Sequence, residues 1–186
     1  MLHTLLRWFY CLPIPQAFLL LLFFSFLFLF LRQKQGKKRF WRLGILIFAL
    51  VWLLFIAAVT LMSRSLSERP MAPELIPFCS YFQVFTGGNR ELLRSNFMNV
   101  ALFFPAGLAA CELLPKGWRY RKKLFFIGVL SLFLSAGIEF CQFCFALGQA
   151  ETDDVIHNVL GAIMGALVCA TDFKTESTIS AEDDLN

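Results

Sequence analysis

The chain lacks the signatures of most chemistries found in membranes. It has no H-E-x-x-H for a zinc protease, no G-x-S-x-G for a serine hydrolase and no P-loop for ATP-driven work. No internal repeat is evident, which leaves an inverted-repeat transporter without support. The six cysteines (Cys11, Cys79, Cys111, Cys141, Cys144, Cys169) are scattered, with no disulfide framework and no zinc-ribbon spacing. Cys141-Gln-Phe-Cys144 reads as C-x-x-C, but it lies in an apolar helix with no second pair, where ordinary buried thiols are expected. No small-residue cleavage pattern follows the first apolar run, so an uncleaved helix is predicted there rather than a signal peptide.

What the chain does have is apolar surface. Of 186 residues 58% are hydrophobic, 23 are phenylalanine, and the mean hydropathy is +0.66. A soluble fold of this size could not hide so much apolar area, whereas lipid solvates it. The net charge of +4 is concentrated in short loops between apolar runs, which points to orientation in a bilayer and not to nucleic acid.

A span of the hydrocarbon core needs about 20 apolar residues. Five such runs are predicted. The first is Pro13–Leu31, preceded by an interfacial lead-in at Leu2–Leu12. The second is Leu43–Met62, with Trp41 and Trp52 as interfacial and lipid-facing aromatics. The third is Asn96–Leu114, kinked by Pro105, the fourth Leu124–Leu147, and the fifth Val155–Thr171. Between the second and third lies a polar segment, Ser63–Ser95. Its prolines and the Gly87-Gly88 pair rule out a continuous helix, and Glu91–Arg94 is expected to form a short surface helix.

The fold class is therefore all-α, a polytopic transmembrane helical bundle of about five spans. Residues 1–42 comprise the lead-in, an extra span and a basic loop; 43–171 form the main membrane domain; 172–186 form an acidic tail expected to be disordered. Basic residues crowd 32–42 and 115–123, so both loops are expected inside. That puts the N-terminus and the 63–95 loop outside and the tail inside.

Polar residues inside the apolar runs are the candidates for function, because each is costly unless paired. Asp154, Asn158, Gly161 and Gly165 fall on one stripe of the last helix, and Gly161-Ala-Ile-Met-Gly165 is a GxxxG suited to close helix approach. Glu139 and Gln142 share a face of the fourth helix, with Ser135 one turn away. In the expected orientation these groups, with Asn96 and Asn99, lie in the outer third of the bilayer. Plainer readings stand beside the functional ones: Asp154 as an N-cap, Asn99 and Asn158 as interhelical glue, His157 as an interfacial residue, Pro105 and Gly107 as shapers of a kink. Glu139 is hardest to explain structurally. A divalent metal held by Glu139, Asp153, Asp154 and His157 is conceivable from residue type alone, but no metal or cofactor is assigned.

The residues carry a resemblance. Asn99-Val-Ala-Leu-Phe-Phe-Pro-Ala-Gly107 resembles the N-x-x-x-F-x-P-x-G signature of VanZ-like membrane proteins. Ser135-Ala-Gly-Ile-Glu-Phe-Cys-Gln142 is similar to that family's serine followed by I-E-x-x-Q. Asp154-Val-Ile-His-Asn158-Val-Leu-Gly161 is similar to its D-x-x-x-N-x-x-G, and Leu75-Ile-Pro-Phe78 to the L-I-P-F that precedes the first motif. Glu151 stands where the family usually has an aspartate, and the arginine many members carry in that turn is missing. The resemblance implies a multi-pass protein of the bacterial cell membrane. It also brings in glycopeptide resistance, since the family's name comes from a protein linked to teicoplanin, as one reading and not as the assigned activity.

Three functions remain open on this evidence. One is a non-catalytic site, built from Asn99, Glu139, Gln142, Asp154 and Asn158, that binds an envelope lipid, a lipid-linked precursor or a protein partner. Another is an intramembrane enzyme acting on a lipid-linked substrate, with Glu139 as acid or base and Asp154 or His157 as its partner. The third is a proton- or ion-coupled transporter, which five helices could form only as a homo-oligomer. The first is preferred, and an enzyme is the less favoured class.

Overall fold

The computed structural model describes residues 38–62, 71–88 and 90–183; the side chains of 38–40, 62, 90 and 170–183 are not described. The predicted lead-in and first span lie outside these residues. Among them are five α-helices: α1 Lys38–Ala57, which widens its ladder into a π-helical turn at Ala58–Met62, α2 Cys79–Gly87, α3 Arg90–Leu113, α4 Tyr120–Cys144 and α5 Thr152–Asp183. Four are long and apolar enough to cross a membrane: Trp41–Leu61, Glu91–Leu113, Tyr120–Cys144 and Thr152–Cys169. This is a multi-pass membrane protein.

The spans divide into two kinds. The window in α1 has a mean hydropathy of 2.8 and that in α4 one of 2.1, against 1.3 in α3 and 1.2 in α5. The apolar pair is the exposed pair. Leu43, Ile47, Leu50 and Leu54 of α1, and Phe125, Phe133 and Phe140 of α4, are exposed and face outward. The two less apolar helices are the buried ones, and they pack against each other more extensively than any other pair.

Small residues allow that packing. A Cβ at Gly107 of α3 would sit 1.9 Å from the Ala162 carbonyl oxygen. On α5, one at Gly161 would meet the Val100 oxygen at 2.3 Å, and one at Gly165 the Phe104 oxygen at 2.0 Å. Backbone therefore lies on backbone along α3 and α5. Lipid tails are as apolar as leucine, so no hydrophobic force drives helices together in a membrane; close van der Waals contact and hydrogen bonds do. Pro105 lies inside α3, where it cannot donate to the carbonyl four residues back. Around this seam sit Ile56, Val59, Leu102, Phe103, Ile127 and Ala166.

Several expectations need correction. Glu91–Arg94 is no separate surface helix; it is the first turn of α3, laced by a 3.0 Å Arg94–Glu91 ion pair at i, i+3. The 63–95 segment contains α2, which turn residues had hidden. Gly88, at φ 69°, ends it with its N–H on the Val84 carbonyl. The fourth helix stops at Cys144 instead of Leu147, because Ala146 (φ 52°) and Gly148 (φ 143°) turn the chain there. Trp52 is not simply lipid-facing: its indole N–H donates 2.8 Å to the Leu102 carbonyl of α3. Cys141 and Cys144, expected as buried thiols, are half-buried and exposed respectively, because they lie at the end of α4; Cys111 and Cys169 are the buried ones. No glycine or proline interrupts 166–183, and α5 runs on to Asp183 where composition predicts a disordered tail.

Candidate functional site

One end of the bundle is held together by polar groups. Here α1 and α4 finish, α5 starts, and α3 has just begun. The segment 71–78 is strapped to the turn ahead of α5 by a single parallel bridge between Glu74 and Glu151. Glu74 donates its N–H to the Ala150 carbonyl at 2.9 Å and accepts from the Thr152 N–H at 3.0 Å.

Asp153 fastens the strap. Its carboxylate accepts from the Phe78 N–H (2.5 Å), the Ser80 N–H (2.8 Å) and the Ser80 hydroxyl (2.5 Å). Ser80 in turn accepts a 2.9 Å bond from Asn96 of α3. A buried carboxylate needs such donors, since desolvation otherwise penalises its charge. Phe78 adopts the left-handed conformation at φ 63°, costly for a residue with a Cβ, and the Asp153 bond holds it there. The sequence offers Asp153 as a conceivable metal ligand and not as a clasp for the strap. Its real partners lie more than seventy residues away, which no local pattern announces.

His157 belongs to the same brace. Its Nδ1 lies 2.5 Å from the Asp153 carbonyl, which can only accept, so Nδ1 carries a proton. Its Nε2 lies 2.7 Å from the Tyr81 hydroxyl. Both ring nitrogens are thus engaged, which leaves this histidine poorly placed to shuttle protons for a substrate. Tyr81→Phe is expected to loosen α2 by about 1 kcal/mol, the usual worth of one such bond. Faster hydrogen exchange of the α2 amides, with membrane abundance unchanged, would be the sign; unchanged exchange would mean that the bond contributes nothing.

A second set lies between α3, α4 and α5. Asn99 donates to Asp154 at 2.6 Å, and Asn158 donates to the Ser135 hydroxyl at 2.8 Å. α4 runs toward this end and α5 away from it. Glu139 lies one turn past Ser135, and Asp154 one turn before Asn158, so the Ser135–Asn158 contact sets the two carboxylates on facing turns. Glu139 accepts from the Glu151 N–H at 3.0 Å. It lies five residues from the end of α4, about 7.5 Å by helical rise, and so close to the rim of the bundle. Gln142 donates 3.1 Å to the Thr60 carbonyl in the π-helical turn of α1. Asn99, Glu139, Gln142, Asp154, His157 and Asn158 are all buried.

Among the described residues, two oxygens here have no hydrogen-bond partner: Gln142 Oε1 and Asn158 Oδ1. Gln142 cannot exchange its oxygen and nitrogen by flipping, because its Nε2 faces a carbonyl. Asn158 faces a hydroxyl, which would tolerate either orientation, so one of its amide atoms stays without a partner in both. A buried acceptor left this way costs about 1–3 kcal/mol, and a donor that reaches it recovers that cost. Among the described residues no three of His, Cys, Asp and Glu gather where they could hold a metal ion together.

The opposite end holds a smaller polar group that sequence reading missed. Glu112 is buried, and accepts from the Trp41 indole at 3.4 Å and the Cys169 thiol at 3.6 Å. Lys123, expected in the basic loop 115–123, lies in the first turn of α4 and is buried as well. One carboxylate late in α3 gives little signal in a sequence.

No curated protein and no solved structure shows significant similarity to the chain. The model of one family, described as VanZ/LLP1, matches residues 43–173, spanning α1 through most of α5 and both sets of polar contacts, and the chain belongs to that family.

Proposed function

We propose that the α3–α4–α5 cluster is a binding site for a cell-envelope amphiphile, whose headgroup brings hydrogen-bond donors to Glu139, Gln142, Asp154 and Asn158. The observation that carries this reading is the buried Gln142 Oε1, which among the described residues has no partner, with one amide atom of Asn158 left over in either orientation, beside two carboxylates on facing turns. An acceptor-rich lining selects a hydroxylated or amine-bearing headgroup, and a site near the rim of the bundle suits a molecule whose tails stay in lipid. The basic loops favour placing this end at the outer leaflet of a bacterial cell membrane. Teicoplanin sensitivity is accordingly one of the phenotypes to read. The binding role is preferred over catalysis, since His157 is committed to the brace.

Glu139→Gln and Asp154→Asn keep shape and remove charge. In a strain without the native protein, both are expected to accumulate normally in membranes yet fail to restore envelope-stress and glycopeptide resistance. Native mass spectrometry should show about tenfold less co-purified lipid, the effect of losing one charge-assisted hydrogen bond. Full complementation by both, with lipid retention unchanged, would sink the proposal. Disappearance of both from the membrane would make the cluster a structural brace.

A further inference from the structure

The segment around α2 does not look like a solvated loop. Residues 75–88 contain no charged side chain, and their largest apolar groups point away from the bundle. Phe78, Phe82 and Phe85 follow i, i+4 and i+7 and form one stripe, while Ser80 on the opposite side is buried. Phe82 is 68% and Phe85 85% exposed, in the range of or beyond the 73% of Phe125 and 67% of Phe140 on the outward face of α4. Leu75 and Ile76 continue the same surface into the strap. An apolar patch of this size is not normally left to water.

Its position says what covers it. Ser80 is bonded to Asp153 and Asn96, which lie at the start of the α5 span and near the start of the α3 span. α2 is therefore fixed at the level where the spans leave hydrocarbon, the depth at which aromatic side chains collect in membrane proteins. Nine helical residues cannot cross a bilayer, and a stretch of this length and composition suits its surface.

We infer that residues 75–87 lie in the interfacial layer of the bilayer, with the Phe78–Phe82–Phe85 stripe against lipid. The surface continues the lipid-facing belt of the spans, so bilayer lipid is its occupant. Having no lysine or arginine, it is held by apolar area and not by anionic headgroups. The strap and its brace thus hang between the membrane surface and the polar cluster.

Photo-crosslinking tests this directly. Benzoylphenylalanine is placed at position 82, 83 or 85 of the full chain, and native membranes are irradiated. Positions 82 and 85 should give phospholipid adducts, and position 83, on the flank of the helix, about tenfold fewer, as a surface-lying helix requires. Equal lipid yields at 83 and 85 would overturn the inference, as would adducts to protein at 82 and 85, which would make the stripe a protein interface. Phe85 projects almost wholly outside the fold, so its replacement remains informative even if position 82 disturbs packing.

Discussion

Adding a single methyl group at Gly165 is expected to cost about 3 kcal/mol, the upper end of what overpacking a closed core does. The new Cβ would lie 2.0 Å from the Phe104 carbonyl oxygen and 2.9 Å from the Leu108 nitrogen. Both are backbone atoms, so no side chain can swing aside; α3 and α5 must separate. Gly161→Ala and Gly107→Ala meet the same obstacle at the Val100 and Ala162 oxygens. Because α3 and α5 form the largest contact of the fold, their separation should also pull Asn99 away from Asp154. Thermal denaturation in detergent would read the loss, with membrane abundance falling in parallel. Gly137→Ala serves as the control: nothing lies within 4 Å of its added Cβ, and alanine favours a helix by about 1 kcal/mol over glycine. If Gly165→Ala melts with Gly137→Ala at or above the native chain, the two backbones are not in contact.

Asp153→Ala should be the next most damaging change. It strands the Phe78 N–H, the Ser80 N–H and the Ser80 hydroxyl, for which the local cost is about 3–5 kcal/mol if none finds water. The strap can escape part of that cost by lifting off, and its release is the expected result. Amides 78–80 would then exchange freely, and protease would cut between residues 71 and 88 while the spans stayed folded. Asp153→Asn keeps one acceptor oxygen but turns its amide hydrogens toward donors, so an intermediate loss is expected. Amide exchange at 78–80 identical to that of the native chain would show that the carboxylate does not fasten the strap.

The helices that face lipid were the easiest to read. Leu43–Met62 and the phenylalanine-rich stretch after Leu124 owe their form to the solvent, and runs of leucine and phenylalanine state that outright. Asn99, Glu139, Asp154 and Asn158 stood out because polar groups in apolar runs are costly, and each turns out to be buried with a partner on another element. What stayed hidden depends on long-range pairing. Asp153 and Asp154 are neighbours of identical type, yet one fastens the strap and the other faces Asn99, a division made by the direction each leaves the helix. α2 was obscured because prolines and glycines mark where a helix cannot run through but say nothing about the nine residues between them. Lys123 shows the reverse: its charge marks a basic loop in the sequence, yet it belongs to α4 and is buried.

The contrast between the two kinds of span bears on how the chain is made. α3 is synthesised before α5, with α4 and both of its flanking turns in between. During that interval Asn96 and Asn99 are in or beside hydrocarbon without Asp154, and Gly107 has no backbone to rest against. A helix of mean hydropathy 1.3 enters lipid with little to spare, whereas α1 and α4 commit themselves as they emerge. Of the four spans, the newborn chain therefore holds the second least membrane-suited until the least suited one arrives, and the two settle as a pair. Every defect in the α3–α5 seam is then met first by the insertion machinery and its proteases, before the finished bundle exists.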